Sequence, residues 1–598
     1  MGRSIEKEVP LWDLTSIYKG FDDPKFADDK DKLSKSLDKI KSVAGDKKSA
    51  KDNPSYWFKS AADTYNEAVD LLENLISYAY ARFSTATGDK ENIVQLGKIE
   101  DKEAELKTAL VKLRNAMAEI KDELDDLIKT DEFVRDHEFF IKEQLYYQSK
   151  QMPPELEGLA NELARSGAKS WSKLQEAASS SAKIVWDEKS GEEKTLVQLR
   201  GLAFNQSRDI REKAFNKELE LWKSMEIPFS YSLNGVKGSA ISLSKRRGYS
   251  DVMEKTLAQA RISGKTLDSL IGAMEKGLPS FRDYFRAKAK LLGTKKLAFY
   301  DIFAPLKEGS REWSFEDAKS FILQQFYSFS DKLGNFAENA FLGGWIDART
   351  REGKVGGAYC ASFPLAGESR VLANFDGSFT ALSAIAHELG HAYHHHVLKD
   401  GEAIDREYPM TLAETASIFC ENIVFNQALK ILENAEKISV LETYLQEAAQ
   451  VIVDILSRFY FERSVFAKKA EGDLTAADFC DLMIAAQKAA YGDGLDENKL
   501  HPYMWAVKGH YYYPDLDFYN FPYAFGLLFG TGLYSQYIEK GNSFIADYDK
   551  ILGRTGKTGA VTVAAEAGFD IEKEDFWTSA LGFIEKRIME FCELANSR

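Results

Sequence analysis

The stretch Gly353–His396, GKVGGAYCASFPLAGESRVLANFDGSFTALSAIAHELGHAYHHH, holds five of the chain's eight histidines. Upstream of them its texture departs from the helical pattern on either side. Runs rich in Tyr, Phe, Val and Asn predict strands at Gly357–Ser362 and Arg370–Phe375, and Ser378 or Thr380 stands where a helix N-cap is expected. On the helix that follows, residues four apart share a face. His387 and His391 can therefore present two imidazoles to one ion, with Glu388 close enough to reach a water on it without being a ligand. The other reading is a polar helix end that happens to be rich in imidazole.

A third ligand would separate the two readings, and YPMTLAETASIFCEN (Tyr408–Asn422) offers one. Glu414 stands in an apolar helical context where a lone carboxylate is costly and coordination would compensate. Otherwise it is a partly solvated glutamate in the first turn after Pro409. Two histidines, one glutamate and a water complete a tetrahedral zinc site, one ion per chain. Zinc lowers the pKa of such a water to about 7, and Glu388 can then take its proton as it attacks a carbonyl. Glu421, seven residues past Glu414, is expected to hold an imidazole N–H. His394 is expected beside the site, His395 and His396 away from it, and Glu402 and Glu407 in a solvated loop. Downstream, KGHYYYPDLDFYNFPYAFG (Lys508–Gly526) places His510 before Tyr519 and Tyr523, which fall at i and i+4 of one expected helix face. These groups could donate to a developing oxyanion, or the tyrosines could simply pack and satisfy their hydroxyls locally.

The first third reads as long amphipathic helices. Leu106, Leu110, Leu113, Met117, Ile120, Leu124 and Leu127 form an a/d stripe, which predicts one long helix packed within the chain against 56–86 and 131–165. Two β-like runs about Ser190-Gly191 predict a hairpin, Ser207 a helix N-cap, and a domain boundary is expected near residue 200. Residues 1–200 are then a helical domain ending in the hairpin, and 201–598 a second domain.

The formal charge of -15 and the lack of a basic block disfavour nucleic acid as a partner. Four dispersed cysteines suit a reducing compartment. MGRSIEKEVP at the start has no apolar core of a secretory signal. Phe518–Ile538 is uncharged and long enough to span a bilayer, but Asn520, Pro522, Gln536 and three glycines favour a buried helix beside a polar cavity. No membrane partner and a cytoplasmic location follow.

Four elements in order, GGAYC with LANF, HELGHAYH, PMTLAETAS and FYNFPYAFG, together resemble the M3 zinc metallopeptidases, specifically the oligoendopeptidase F group. The resemblance implies a mainly α fold in which two helical halves enclose a deep substrate channel, with a small β-sheet beside the HExxH helix. It implies a zinc endopeptidase acting on short unstructured peptides. His387, His391 and Glu414 are then the metal ligands and Glu388 the general base. Tyr519, Tyr523 and His510 contact substrate, although the interval from His510 to Tyr519 is longer than in many members. The edge at Gly357, Ala358 and Tyr359 pairs with the peptide backbone. An exopeptidase would need a cationic anchor for a terminal carboxylate, and none is identified. A non-catalytic zinc- or peptide-binding protein would have no need of Glu388. The oligomeric state stays open.

Overall fold

The computed structural model describes residues 9–306 and 311–597. The segment 1–8, which bears on the leader, lies outside them. The chain forms two compact units, each assembled from three stretches. The first comprises Met1–Lys150, Arg311–Ile431 and Gln536–Gly568, and the second Gln151–Ser310, Leu432–Ser535 and Phe569–Arg598. Helices dominate both. The elements used below are, in chain order, α1 (Pro24–Gly45), α2 (Pro54–Thr85), α3 (Lys90–Glu119), β1 (Lys183–Asp187), β2 (Glu192–Thr195) and α4 (Arg208–Arg246). After them come β3 (Ile346–Asp347), β4 (Tyr359–Phe363), β5 (Glu368–Leu372), α5 (Phe379–Leu398), α6 (Thr415–Ile431), α7 (Ile455–Lys469), α8 (Phe521–Lys540) and α9 (Phe544–Arg554).

In the first unit α1, α2 and α3 pack on one another around a single apolar core. Most of the predicted stripe enters that core: Leu106, Leu113, Met117, Ile120 and Leu124 are buried, while Leu110 and Leu127 pack at its edge. It is not one helix, however. The backbone breaks at Ile120, and a separate helix runs Lys121–Thr130 with Asp122 and Glu123 in its first turn. A straight helix rotates a seven-residue stripe by about 20° per heptad; the break returns Ile120 and Leu124 to the core. Of the partners expected downstream, the helix Glu138–Ser149 packs on α3, whereas Pro154–Ser166 buries none of its residues.

The sheet has the order β3-β5-β4, parallel for β3 with β5 and antiparallel for β4 with β5, so β4 forms an edge. The strands are displaced from their predicted positions. Gly357, at φ 78°, and Ala358 precede β4, and Gly367, at φ 64°, closes the β4–β5 turn so that β5 begins at Glu368. Asn374 Nδ2 donates to the carbonyls of Val355 and Gly357, so a side chain rather than a ladder holds that segment. At the end of β3, buried Asp347 pairs with Arg351 at 2.7 Å and with the buried Lys354 ammonium at 2.8 Å. Ser378 caps α5, its Oγ accepting from the Ala381 N–H, and Thr380 lies inside the helix. One side of α5 packs on β4 and β5, and other faces meet α6 and α9.

In the second unit β1 and β2 pair antiparallel about Gly191, as predicted. Ser207 occupies the N-cap position of α4 but makes no capping bond through its side chain; Asn205 Oδ1 accepts from its N–H instead and shapes the entry. The uncharged segment near the C-terminus is the largely buried helix α8. Among the described residues no helix is long and apolar enough to cross a membrane.

On α4, buried Glu218 accepts from Arg200 at 2.7 Å, from Trp222 Nε1 at 3.1 Å and lies 3.3 Å from His501 Nε2. Burial works to raise its pKa, but Arg200 and His501 carry it down to about 2, against an ordinary 4.5. A folded-state value below the unfolded one stabilises the fold above the unfolded value, and that gain disappears as pH falls through the folded value. The shift corresponds to something on the order of 3 kcal/mol. The melting-temperature gap between wild type and Glu218→Gln should be widest above pH 5 and close between pH 4.5 and 2. Thermal unfolding across that range reads it directly, and a gap independent of pH would exclude ionic pairing as its origin.

Candidate active site

Within α5, His387 and His391 face the start of α6, and their rings lie 5.0 Å apart. Glu414 sits at the joint between a short helix, Met410–Ala413, and α6. Its Oε2 is 3.2 Å from His387 Nε2 and 3.4 Å from His391 Nε2. Ligands at 2.0–2.1 Å in a tetrahedral shell lie about 3.3–3.4 Å from one another. The two carboxylate–imidazole separations thus fit edges of such a shell, and these three residues are the one group of ligand-type side chains brought together in this way among the described residues. All three side chains keep part of their surface exposed, which leaves a way in for a further ligand.

Two outer contacts orient the donors. Glu421 Oε2 lies 3.2 Å from His387 Nδ1, as its position on α6 predicted, which leaves Nε2 to face Glu414. Ser417 Oγ donates to Glu414 Oε2 at 2.7 Å. Burial works to lower the His387 pKa, but hydrogen bonds donated by the ring to Glu414 and Glu421 lift it well above the usual histidine value. Burial works in the opposite sense on Glu414, and the two imidazoles outweigh it, holding the carboxyl far below the usual range. Glu388 is buried, and burial raises its pKa, as suits a group that must take up a proton.

The approach of α5 to α6 depends on Gly390, inside the HELGH run. A Cβ added there would lie 2.6 Å from the Ala416 carbonyl oxygen and 2.6 Å from Ser417 Cα. Only glycine lets the two backbones come this near, and without that approach Glu414 could not reach both imidazoles. The histidine spacing drew attention away from this residue, though an isolated glycine inside a helical pattern is itself a packing signal.

The neighbouring histidines serve the fold. His394, expected beside the site and not as a ligand, is fully buried, with Nε2 2.8 Å from Thr555 Oγ1 and its ring stacked on Tyr408. His395 lies near Ser369 and Cys360, and burial pushes both imidazoles down to about 3, so they are neutral at physiological pH. Glu402 and Glu407 are exposed, as expected.

The residues of the downstream cluster belong to the second unit. Tyr519 and Tyr523 do not share a helix face, because α8 begins only at Phe521 and Tyr519 sits in the preceding turn. Phe518, left-handed at φ 52°, makes that turn. The rings still meet, at 5.5 Å, and His510 packs edge-on to Tyr519 at 5.0 Å and parallel to Tyr523 at 6.3 Å. Burial, with Arg458 and Lys508 nearby, lowers the His510 pKa to about 4 and keeps it neutral. At β4, the Tyr359 hydroxyl is 2.6 Å from Ser84 Oγ, so its side chain is engaged within the fold while the strand's outer edge stays unpaired in the sheet.

Comparison with known families agrees with this geometry. The profile of Peptidase family M3 matches residues 202–583, and that of Oligopeptidase F matches 120–183. The chain belongs to peptidase family M3. Among curated relatives, an oligoendopeptidase F homolog of Lactococcus lactis is 26% identical over 58% of this chain and 58% of its own length. The chain thus spans less than two thirds of that relative. Oligopeptidase PepF of Bacillus subtilis is 23% identical over 89% of this chain and 80% of its own. In fold, oligoendopeptidase-F of Enterococcus faecium superposes with a TM-score of 0.70 at 18% identity, covering 96% of this chain and 99% of that one.

The helix approach in this M3 chain predicts that Gly390→Ala weakens metal binding by at least about tenfold and lowers thermal stability, since overpacking a tight contact costs about 1–3 kcal/mol. Glu421→Gln should weaken metal binding by a similar factor with little change in melting temperature. Competition against a chelator, run beside calorimetry, separates the two. Equal metal affinity in Gly390→Ala and wild type would remove the role given to the glycine.

Proposed function

We propose that the chain is a zinc-dependent endopeptidase that hydrolyses internal bonds of short, unstructured peptides. The observation that carries this is the convergence of His387, His391 and Glu414 in a chain of peptidase family M3, with Glu388 beside the first imidazole. Two imidazoles and a carboxylate are a donor set that zinc favours in hydrolytic sites, where one position stays open. A zinc ion held there supplies Lewis acidity toward a peptide carbonyl and toward water.

Glu388 is the general base: it takes the proton of the attacking water and delivers it to the leaving amine. His510, Tyr519 and Tyr523 are donors to the oxyanion of the tetrahedral intermediate, His510 through an N–H of its neutral ring. The segment Gly357–Tyr359, leading into the edge strand β4, takes the peptide backbone by strand addition, a mode indifferent to side-chain identity. The names of the relatives support the endopeptidase and oligopeptide parts of this reading. Residues 201–598 carry the catalytic domain, and four free thiols suit a cytoplasmic setting.

Glu388→Gln should retain its zinc and lose at least about a thousandfold in kcat on an internally quenched peptide, while mass spectrometry of wild-type digests shows internal cuts. Chelation should abolish the wild-type activity and zinc restore it. If both proteins hold zinc and neither cuts a varied peptide library, the enzyme reading is lost. Tyr523→Phe should lower kcat by about a hundredfold with KM within a few-fold, because its hydroxyl acts on charge that develops only in the transition state.

A further inference from the structure

The turn that carries Tyr519 is held in place by a buried charge cluster that the proposed mechanism does not use. Glu462 on α7 is 2% exposed, and Lys237 on α4 is 1% exposed. Their side chains meet at 2.6 Å, and the same ammonium lies 3.1 Å from Asp517 Oδ1. Lys255 holds the other Asp517 oxygen at 2.9 Å, and the Thr256 hydroxyl donates to the Asp517 carbonyl. Residue 517 is therefore fixed from three sides.

Glu462 also grips the next residues. Its Oε1 accepts from the Phe518 N–H at 3.0 Å, and its Oε2 accepts from Asn520 Nδ2 at 3.0 Å. Asn520 Oδ1 then accepts from the Phe521 N–H at 2.7 Å, tying the turn to the first residue of α8. On either side of Glu462 along α7, Phe459 and Phe466 pack their rings on Phe518 at 5.6 and 5.4 Å. This face of α7 is shaped to receive one turn. The turn needs such support, because Phe518, at φ 52°, sits in the left-handed region that disfavours a side chain with a Cβ. Tyr519 stands between the two gripped residues, half-exposed, with its ring set against His510 and Tyr523.

We infer that Glu462, braced by Lys237, is a positioning residue: it clamps the Phe518–Asn520 turn so that the Tyr519 hydroxyl is held in its working place. The inference rests on the role proposed above for Tyr519. Two carboxylate oxygens hold the anchors on either side of Tyr519, so one side chain sets both the peptide plane before Phe518 and the entry of the helix after Tyr519. A side chain that merely fills space would not need both oxygens.

A double-mutant cycle with the zinc-loaded full chain tests this. In the wild-type background Glu462→Gln should lower kcat by about thirtyfold with KM within threefold, since one oxygen acceptor is lost and the tyrosine is released from its transition-state position. In a Tyr519→Phe background the same change should cost no more than about threefold, because the group being positioned is already gone. Asn520→Ala, which keeps the Glu462 bond to Phe518 but removes the second anchor and the bond to the Phe521 N–H, should also lower kcat with the same dependence on Tyr519, and serves if Glu462→Gln does not fold. Equal losses in both backgrounds, or no loss of kcat beside Tyr519, would overturn the inference. Tyr519→Phe on its own reports separately on the tyrosine: an unchanged kcat there removes Tyr519 from the mechanism, whatever Glu462 does.

Discussion

The candidate site depends on how near two helix backbones can come. Imidazoles at i and i+4 of α5 need a third donor from another element, and the carboxylate of Glu414 is short. It reaches both Nε2 atoms only because α6 begins against Gly390, where a methyl group would lie 2.6 Å from backbone atoms of Ala416 and Ser417. The other contacts at the site build on this approach. Ser417, at the point of nearest contact, also donates to Glu414, and Glu421, one turn further along α6, reaches His387 Nδ1. Donor, orienting partner and packing contact come from one short stretch of helix. The sheet and α9 on other faces of α5 then hold it against that stretch.

What could be seen in the sequence followed from periodicity and from the cost of burying charge. The i, i+4 rule placed His387 and His391 on one face, and the apolar surroundings of Glu414 and the spacing of Glu421 marked both carboxylates as partners. The same rule misled at Tyr519 and Tyr523. Their spacing reads as helical, but the left-handed Phe518 delays the helix to Phe521, and nothing local in an ordinary phenylalanine announces that conformation. For His394 the phase gave a direction around the axis but not its complete burial, because phase does not report the depth of the protein two turns further along. The strand ends shifted because Asn374 and the positive-φ glycines 357 and 367 decide where the ladder stops. The stripe at 106–127 gave the buried face correctly and concealed the break at Ile120, since the break serves that same face.

Charge is buried in both units where irregular backbone must be held still. Asp347 with Arg351 and Lys354 lies at the end of β3, and Glu462 with Lys237 and Asp517 lies beside the turn at 518–520. Desolvating such groups offsets much of their attraction, so their contribution to stability is small compared with what they exclude. A carboxylate that must find two donors and a cation admits few alternative loop conformations. The apolar cores set the helices, and these clusters fix the short segments between them.

The division of the chain has a consequence for how the metal centre comes into being during synthesis. The polypeptide passes between the two units after residues 150, 310, 431, 535 and 568. The histidine helix is complete by Leu398 and Glu414 soon follows, yet α5 also leans on the last stretch of its unit, where Tyr393 bonds Asp549 and His394 meets Thr555. Those partners leave the ribosome some 150 residues after the ligands do. Through that interval the ligand helix lacks one of its supporting walls. The centre therefore reaches its final rigidity only after residue 555 has been made, and a chain that stops short of it would hold an ion more loosely.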